Sequence, residues 1–232
     1  MGQVTTITFL KYQGFSKKFW ALKMMGLMPL KISKIEGQSF FRLMGTGRDK
    51  FSPLPDWSTY ALLQVWDSEQ IADRFFEHSN IYKTFCNHSK EQFTIYMKSI
   101  SSKGEWLGKN PFIRSSDLDM QNNKVAVITR ATIRLTRLIS FWSYVPKSRK
   151  DLKNNKGLIY TQGIGAMPFV QMATFSLWNS KNDILKFAYQ QNNHAEAITK
   201  TRKLNWYKEE LFARFQPYKT LGNFSNVKIN CF

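Results

Sequence analysis

The chain resembles itself, because short motifs of its first half recur in the same order in its second half. The segment VWDSEQIADRFF at 65–76 matches LWNSKNDILKF at 177–187, and the glycine motif GTG at 45–47 matches GIG at 163–165. ITFLKYQGFSKKFW likewise parallels TRATIRLTRLISFW, and KGEW parallels LGNF. The matched motifs lie about 112 to 122 residues apart, a nearly constant spacing that is typical of an internal duplication.

Both halves also predict the same order of elements. Alternating apolar residues predict four strands in the first half, at 4–12, 38–46, 58–66 and 91–101, and helical periodicity predicts helices at 16–27 and 68–88. The second half predicts strands at 124–134, 157–165, 168–178 and 211–219, with helices near 138–145 and around His194. The order βαββαβ is that of a ferredoxin-like unit. We therefore predict an α+β protein of two tandem ferredoxin-like repeats, whose sheets meet around a shared cavity or interface.

A linker is expected where the composition changes between the halves. Residues 102–124 are rich in Gly, Pro, Ser and Asn, which favour turns and loops. We place the first repeat at 1–108, the linker at 109–123 and the second repeat at 124–232.

Charge and aromatic content limit the classes of partner. Lys and Arg outnumber Asp and Glu by 34 to 16, so the chain attracts nucleic acids, anionic lipid surfaces or acidic small molecules. No strand carries the glycine and aromatic pattern of an RNA-recognition module, which disfavours nucleic-acid binding. Nineteen Phe, seven Trp and nine Met residues favour an interior that could also hold a large apolar ligand.

The expected location is cytoplasmic. No run of about 18 apolar residues and no signal peptide is present, and the two cysteines form no CxxC motif or disulfide framework. A peripheral membrane contact is a further expectation for residues 15–34, which mix large apolar side chains with five lysines. The same segment could instead be a buried core helix.

Long motifs resemble a known family. The segments TRATIRLTRLISFWSYVP at 129–146, GIGAMPFVQMATFSLW at 163–178, HAEAI at 194–198 and WYKEELFARF at 206–215 resemble the spheroidene monooxygenase family of carotenoid biosynthesis. FWALKMMGLMPL, FFRLMGTG and FSPLPDWSTYALLQVW extend the resemblance through the first half, so that it covers nearly the whole chain.

This resemblance implies a relative of the dimeric α+β barrel proteins that binds haem b. It also implies an oxidation, by O₂ and an electron donor, of a hydrophobic, carotenoid-like substrate, and a homo-oligomer is a further possibility. His194, in the matched HAEAI segment between small residues, is the candidate axial ligand of the haem iron. Because Asn192 and Asn193 precede it, His194 could equally cap a helix or lie on the surface.

Other residues are candidates for binding the cofactor. Arg130 and Arg134 lie four apart on a predicted strand, hence on one face, and could bind propionates or substrate. If that face points outward, both are solvated instead. Phe175, Trp178 and Trp206 could line the pocket or belong to the plain core. Glu209 and Glu210 are assigned no chemistry, and the catalytic residues stay unknown.

Two other functions remain open on the same fold. One is a haem enzyme that dehydrates or rearranges a small nitrogenous substrate, and the other is a non-catalytic haem carrier or sensor.

Overall fold

Eight antiparallel strands form one closed barrel in the order β1-β3-β2-β6-β7-β5-β8-β4. The computed structural model describes residues 2–48, 54–143, 155, 157–167, 169–190 and 204–224. The strands of the first half are β1 (Val4–Lys11), β2 (Gln38–Gly47), β3 (Pro55–Trp66) and β4 (Glu91–Gly104). Those of the second half are β5 (Val125–Ile133), β6 (Leu158–Met167), β7 (Gln171–Trp178) and β8 (Tyr207–Asn223). Each predicted strand is therefore present, and the predicted α+β class is confirmed.

The two halves arrange their strands in the same order. Around the barrel the first half runs β4-β1-β3-β2, and the second half runs β8-β5-β7-β6. The halves are joined at two places, β4 with β8 and β2 with β6. The two expected sheets are thus joined edge to edge into a single barrel.

Apolar residues alternate along the strands and fill the barrel. Because successive side chains of a strand point to opposite faces, every second residue points inward. Strands of both halves contribute to one interior cluster, which includes Ile7, Phe9, Phe93, Ile128, Phe175 and Phe215. The Phe9 and Phe175 rings, from different halves, lie 5.7 Å apart between centroids. The barrel interior is therefore a packed core common to both halves.

Helices cover the outer face of the barrel. They are α1 (Phe15–Leu27), α2 (Pro29–Ile32), α3 (Glu69–His78), α4 (Asn80–His88), α5, described over residues 138–143, and α6 (Lys181–Gln190). The predicted helix at 68–88 is two helices, because Ser79 adopts an extended conformation between them and caps the second. None of the helices within the described ranges is long and apolar enough to cross a membrane.

A serine caps the corresponding helix in both halves. The Ser68 hydroxyl accepts a hydrogen bond from the Ile71 N–H at the start of α3. The Ser180 hydroxyl accepts one from the Asp183 N–H at the start of α6. The tryptophan two residues before each cap packs on its helix, Trp66 against Phe75 and Trp178 against Phe187.

The junction between β2 and β6 is short. It consists of two residue pairs, Gly45 with Gly165 and Thr46 with Ile164, whereas β4 and β8 pair from Gln92 to Gly104. The Gln162 side chain donates to the Gly47 carbonyl at 2.8 Å and extends this junction by one side-chain bond. The two glycine motifs of the sequence therefore meet each other where the barrel closes.

The predicted linker contains no helix or strand, but it packs closely on the barrel. Phe112 is buried in the interior cluster, with its ring 4.9 Å from that of Phe215. The Gln216 side chain donates to the carbonyls of Asp119 and Asn122. This segment therefore contributes to the core while it connects β4 to β5.

Substituting Gly165 with Ala should destabilise the protein, because the new Cβ would lie 2.7 Å from the backbone oxygen of Gln171. We expect the free energy of unfolding in urea to fall by about 2 kcal/mol. Gly45→Ala is the matched control, since its Cβ would meet only the Gly165 oxygen at 3.9 Å. It should change stability by less than about 0.5 kcal/mol. Equal losses in the two variants would contradict this account of the junction.

Candidate active site

A cleft of about 530 Å³, which includes space open to solvent, lies at the β2–β6 junction. Because only two residue pairs join these strands, the barrel wall is incomplete beside them. The cleft is lined by the ends of β2 and β6, the starts of β3 and β7, the turn between β6 and β7, and one residue of α5. The lining residues are Gly45, Thr46, Gly47, Pro55, Trp142, Gly163, Ile164, Gly165, Met167, Phe169, Gln171, Met172 and Ala173.

Two aromatic residues fix one wall of the cleft. The indole N–H of Trp142 donates to the carbonyl of Phe169 at 3.0 Å, and the two ring centroids are 6.0 Å apart. Phe169 adopts a φ of 65°, which is uncommon for a residue other than glycine. Strained residues of this kind are held by their surroundings and often occur at functional sites.

A smaller pocket continues the cleft into the barrel. It shares Gly165, Gln171, Met172 and Ala173 with the cleft and adds Met44, Trp106, Ala166 and Arg130. Arg130 follows Ala126 and Ile128 on the inward face of β5, and only 4% of its surface is exposed. A guanidinium therefore lies at the inner end of an otherwise mostly apolar site.

The Arg130 guanidinium is held by side chains inside the barrel. It donates to the Glu209 carboxylate and to the Thr132 hydroxyl, and it lies 5.7 Å from the Trp106 ring centroid. Its Nε has no hydrogen-bond partner among the described residues. An unpaired buried N–H is costly, and a ligand atom that accepted a hydrogen bond from it would remove that cost.

A second guanidinium lies near the first. Arg42 alternates on β2 with Phe40 and Met44, which belong to the interior cluster, so its side chain points inward. Burial lowers the pKa of Arg42, repulsion by Arg130 lowers it further, and attraction to Glu209 raises it in part. The cluster of the buried Arg130 and the partly buried Arg42 and Glu209 thus carries one positive charge in excess.

The Glu209 carboxylate belongs to the same cluster. Burial alone raises its pKa, but the N–H of Gly108, which donates to Oε1 at 2.7 Å, and the Arg130 guanidinium outweigh burial, so the pKa is lowered. Leu107, beside Gly108, has a φ of 60°. The loop after β4 is therefore held against the charged cluster by a hydrogen bond to Glu209.

The predicted binding residues are distributed over different faces. Phe175 lies inside the barrel, one inward position along β7 from Ala173, which lines the cleft. Trp206 is buried beside Phe141, and its indole N–H donates to the Ser140 hydroxyl of α5. Trp206 therefore supports the helix that carries Trp142.

Trp178 and Arg134 lie elsewhere. Trp178 is on the outer face of β7, where it packs against Phe187 of α6 and donates to the Ser176 hydroxyl. Arg134 is exposed and follows the end of β5, so it does not share the inward face of Arg130. The structure brings neither residue into the cleft.

His194 lies outside the described residues, in the segment 191–203 that joins α6 to Leu204. The two histidines that the structure describes have other partners. His88 stacks on Trp20 with centroids 3.8 Å apart, and His78 is exposed beside Glu77. Within the described ranges, no group of three His, Cys, Asp or Glu side chains could hold a metal ion.

Sequence reasoning did not identify Arg42 and Phe169, and it assigned no chemistry to Glu209. A signal for Arg42 was present, because FFRLMG places it on the same strand face as the apolar Phe40 and Met44. A signal for Glu209 was the alternation with Leu211 and Ala213 on β8. No local pattern indicates the positive φ of Phe169.

Known relatives support the resemblance seen in the motifs. The spheroidene monooxygenase of Cereibacter sphaeroides is 33% identical over 225 residues, which cover 95% of this chain and 68% of the relative. The chain belongs to the spheroidene monooxygenase family. The spheroidene monooxygenase of Rhodobacter capsulatus is 28% identical over 222 residues, covering 95% of this chain and 92% of the relative. No protein-family model matches the chain. Family membership makes the chain a monooxygenase.

Solved structures of aldoxime dehydratase share the fold. One has a TM-score of 0.63 at 10% identity and covers 93% of this chain and 81% of its own. Another, in complex with butyraldoxime, has a TM-score of 0.63 at 8% identity, with coverages of 94% and 80%. At these identities the likeness concerns the architecture alone.

Removal of the Glu209 charge should cost more stability than removal of the Arg130 charge. Glu209→Gln leaves the buried Arg130 and the partly buried Arg42 to repel each other without a carboxylate between their charges, and we expect a loss of about 2 kcal/mol, reduced by the partial exposure of Glu209. Arg130→Met leaves the carboxylate near Arg42 and Gly108, so about half that loss is expected. Urea denaturation of both variants gives the comparison. Equal losses would mean that Arg42 does not share the carboxylate.

The pH dependence of stability gives a further test of the cluster. Because the folded-state pKa of Glu209 is lowered, its carboxylate stabilises the fold above the ordinary glutamate pKa, about 4.3. That contribution is lost as the pH falls further through the folded-state pKa. The stability difference between wild type and Glu209→Gln should therefore shrink below about pH 4. A stability difference between the two proteins that does not change with pH would contradict the lowered pKa of Glu209.

Proposed function

We propose that the protein is a haem-dependent monooxygenase that oxidises a hydrophobic, carotenoid-like substrate with O₂. The observation that carries this proposal is an apolar cleft that ends at a buried, net-positive cluster, in a chain of the spheroidene monooxygenase family. An electron donor is required as a partner, because a monooxygenase reduces the second oxygen atom to water.

The described residues fit several requirements of a haem site. The cleft has apolar walls at Trp142, Phe169 and Met172, where a flat macrocycle could pack. Haem also carries propionates, and the excess positive charge of Arg42 and Arg130 over Glu209 suits one carboxylate. When bound, haem would supply the iron that activates O₂. His194, in the family-matched HAEAI segment, is the residue that would hold the haem iron.

The protein's own residues would then bind the anionic group, orient the apolar chain of the substrate and shield the site from water. Trp142 and Phe169 form a fixed aromatic wall against which an apolar chain can lie. Arg130 and Arg42 hold an anionic group at the inner end, and Glu209 keeps the Arg130 guanidinium in position. The packed barrel interior, including Phe175, excludes water behind the cleft.

The remaining predicted residues take different parts in this proposal. Trp206 positions α5 and hence Trp142. Arg134, exposed after β5, could contact only a group that projects out of the site. Trp178 supports α6, which leads into the segment with His194.

The tandem-repeat hypothesis belongs to the same proposal. Each half places its strands in the order 4-1-3-2 with helices on the outer face, which supports two ferredoxin-like repeats at 1–108 and 124–232, joined by the linker at 109–123. In this interpretation the cofactor site lies mainly in the second repeat. A contact of residues 15–34 with a membrane, where a carotenoid-like substrate dissolves, is a separate hypothesis.

Absorption spectroscopy of the purified protein, supplied with haem, tests the cofactor and its ligand together. We expect a Soret band that His194→Ala loses or shifts strongly, because the iron loses its axial imidazole. His78→Ala is the matched control, since His78 is exposed beside Glu77 and lines neither the cleft nor the inner pocket, and its spectrum should match wild type. A wild-type protein that binds no haem would overturn the proposal.

Isotope labelling tests the reaction. With ¹⁸O₂, an electron donor and an acyclic carotenoid, the product should contain ¹⁸O, and Trp142→Ala should reduce turnover because one cleft wall is lost. A haem-loaded protein that converts a nitrogenous substrate without incorporating ¹⁸O would favour the dehydratase alternative. A protein that binds gases but turns over neither substrate would favour the carrier or sensor.

A further inference from the structure

The outward face of α1 carries large apolar side chains that pack on no other part of the described protein core. Phe15 is 87% exposed, Phe19 61% and Leu22 39%. The Phe15 and Phe19 rings stack on each other with centroids 6.3 Å apart. Leu27 and Leu30, which follow, are also exposed. Singly scattered exposed apolar residues are ordinary, but a contiguous group of this kind marks an interaction surface.

Helix geometry places these side chains on one stripe. Phe15, Phe19 and Leu22 are spaced i, i+4 and i+7, which brings them onto the same face of a helix with 3.6 residues per turn. Ala21 and Met24 lie on the opposite face and are buried against the barrel, together with Met28 just beyond the helix. Helix α1 is therefore apolar on two faces, and only one of them is explained by the fold.

The surroundings of the stripe are positively charged. Lys17, Lys18, Lys23, Lys31 and Lys34 lie within residues 15–34, and this segment contains no Asp or Glu. Lys23, Lys31 and Lys34 are exposed, and Lys18 is partly exposed. The lysines would repel a second copy of the same surface, whereas they complement an anionic lipid headgroup layer.

We propose that the stripe of Phe15, Phe19 and Leu22, with its flanking lysines, docks the protein on an anionic membrane surface. The apolar side chains enter the boundary between headgroups and acyl chains, and the lysines pair with the headgroups. Docking leaves the barrel folded, because the opposite face of α1 keeps its contacts with the core.

The docking surface and the cleft are connected through β3. The Tyr12 N–H, just before α1, donates to the Ser58 carbonyl at 2.7 Å. Pro55, three residues before Ser58, lines the cleft. The segment before α1 is therefore bonded to a strand whose first residue lines the cleft. The link to a lipid-soluble substrate rests on the proposed function, whereas docking itself requires neither haem nor turnover.

Sedimentation with vesicles tests the docking surface. Wild-type protein should bind vesicles of phosphatidylcholine and phosphatidylserine, bind pure phosphatidylcholine weakly, and dissociate at high NaCl because salt screens the lysines. Phe15→Ser with Phe19→Ser should weaken binding roughly tenfold or more, since two rings no longer leave water. The control pair Ile113→Ser and Met120→Ser removes two other exposed apolar residues and should bind as wild type.

A charge-matched pair separates local docking from general attraction. Lys18→Gln with Lys23→Gln should weaken binding about fivefold for each lysine removed. Lys181→Gln with Lys186→Gln, on the exposed side of α6, removes the same charge and should leave binding nearly unchanged. Equal losses in the two pairs would overturn the proposal, because the net charge alone would then explain binding.

Two further outcomes would also overturn it. One is the absence of binding to anionic vesicles by folded wild-type protein. The other is a smaller particle in gel filtration for the Phe15 and Phe19 variant than for wild type, which would show that the stripe binds a second copy. Thermal unfolding checks that the variants fold. If the double variant unfolds, Phe15→Ser alone, at an 87% exposed position of the stripe, replaces it and should also weaken binding.

Discussion

The closure of the barrel depends on a short backbone pairing between two glycine motifs. Thr46 and Ile164 are the middle residues of Gly-Thr-Gly and Gly-Ile-Gly, and they pair with each other. A side chain at Gly165 would collide with the Gln171 carbonyl, so this approach of strands requires glycine there. Because the pairing is so short, it joins the halves and at the same time leaves the opening that forms the cleft. The same short pairing therefore closes the barrel and leaves the cleft beside it.

The buried charges are the second constraint, and they depend on the first. An apolar barrel interior would normally exclude guanidiniums, because an unpaired buried charge is costly. Here Arg42 comes from β2, while Arg130 and Glu209 come from β5 and β8, so the two halves supply charges that meet only in the closed barrel. One carboxylate cannot neutralise both guanidiniums. A site that keeps a positive charge at its inner end is suited to an anionic group, and the apolar walls outside it are suited to a hydrophobic one.

Much of this architecture could be predicted from sequence, because both halves repeat the same order of strands and helices. Strand alternation located all eight strands, and helical periodicity located α1. The duplication also bears on the prediction for Trp178. The same repeat shows why Trp178 is a poor cleft residue: its counterpart Trp66 packs under α3 as Trp178 packs under α6. Comparing the two positions would have indicated a structural role for both. FFRLMG places Arg42 on the same strand face as apolar residues, but its charged neighbours Arg130 and Glu209 lie on strands of the other half, and that proximity is what no local pattern reveals.

Helix α1 shows a different limit of pattern reading. Amphipathic periodicity identifies a helix that buries one apolar face and exposes a polar one. In α1 the face around Ala21 and Met24 packs on the barrel, while Phe15 and Phe19 project outward. Because both faces carry apolar residues, the sequence lacks the usual contrast between an apolar and a polar face. Composition alone could not decide between a core helix and a lipid-binding one, since α1 has a face suited to each. In the proposed docking, the face around Ala21 and Met24 keeps α1 on the barrel, while the face of Phe15 and Phe19 would contact the membrane.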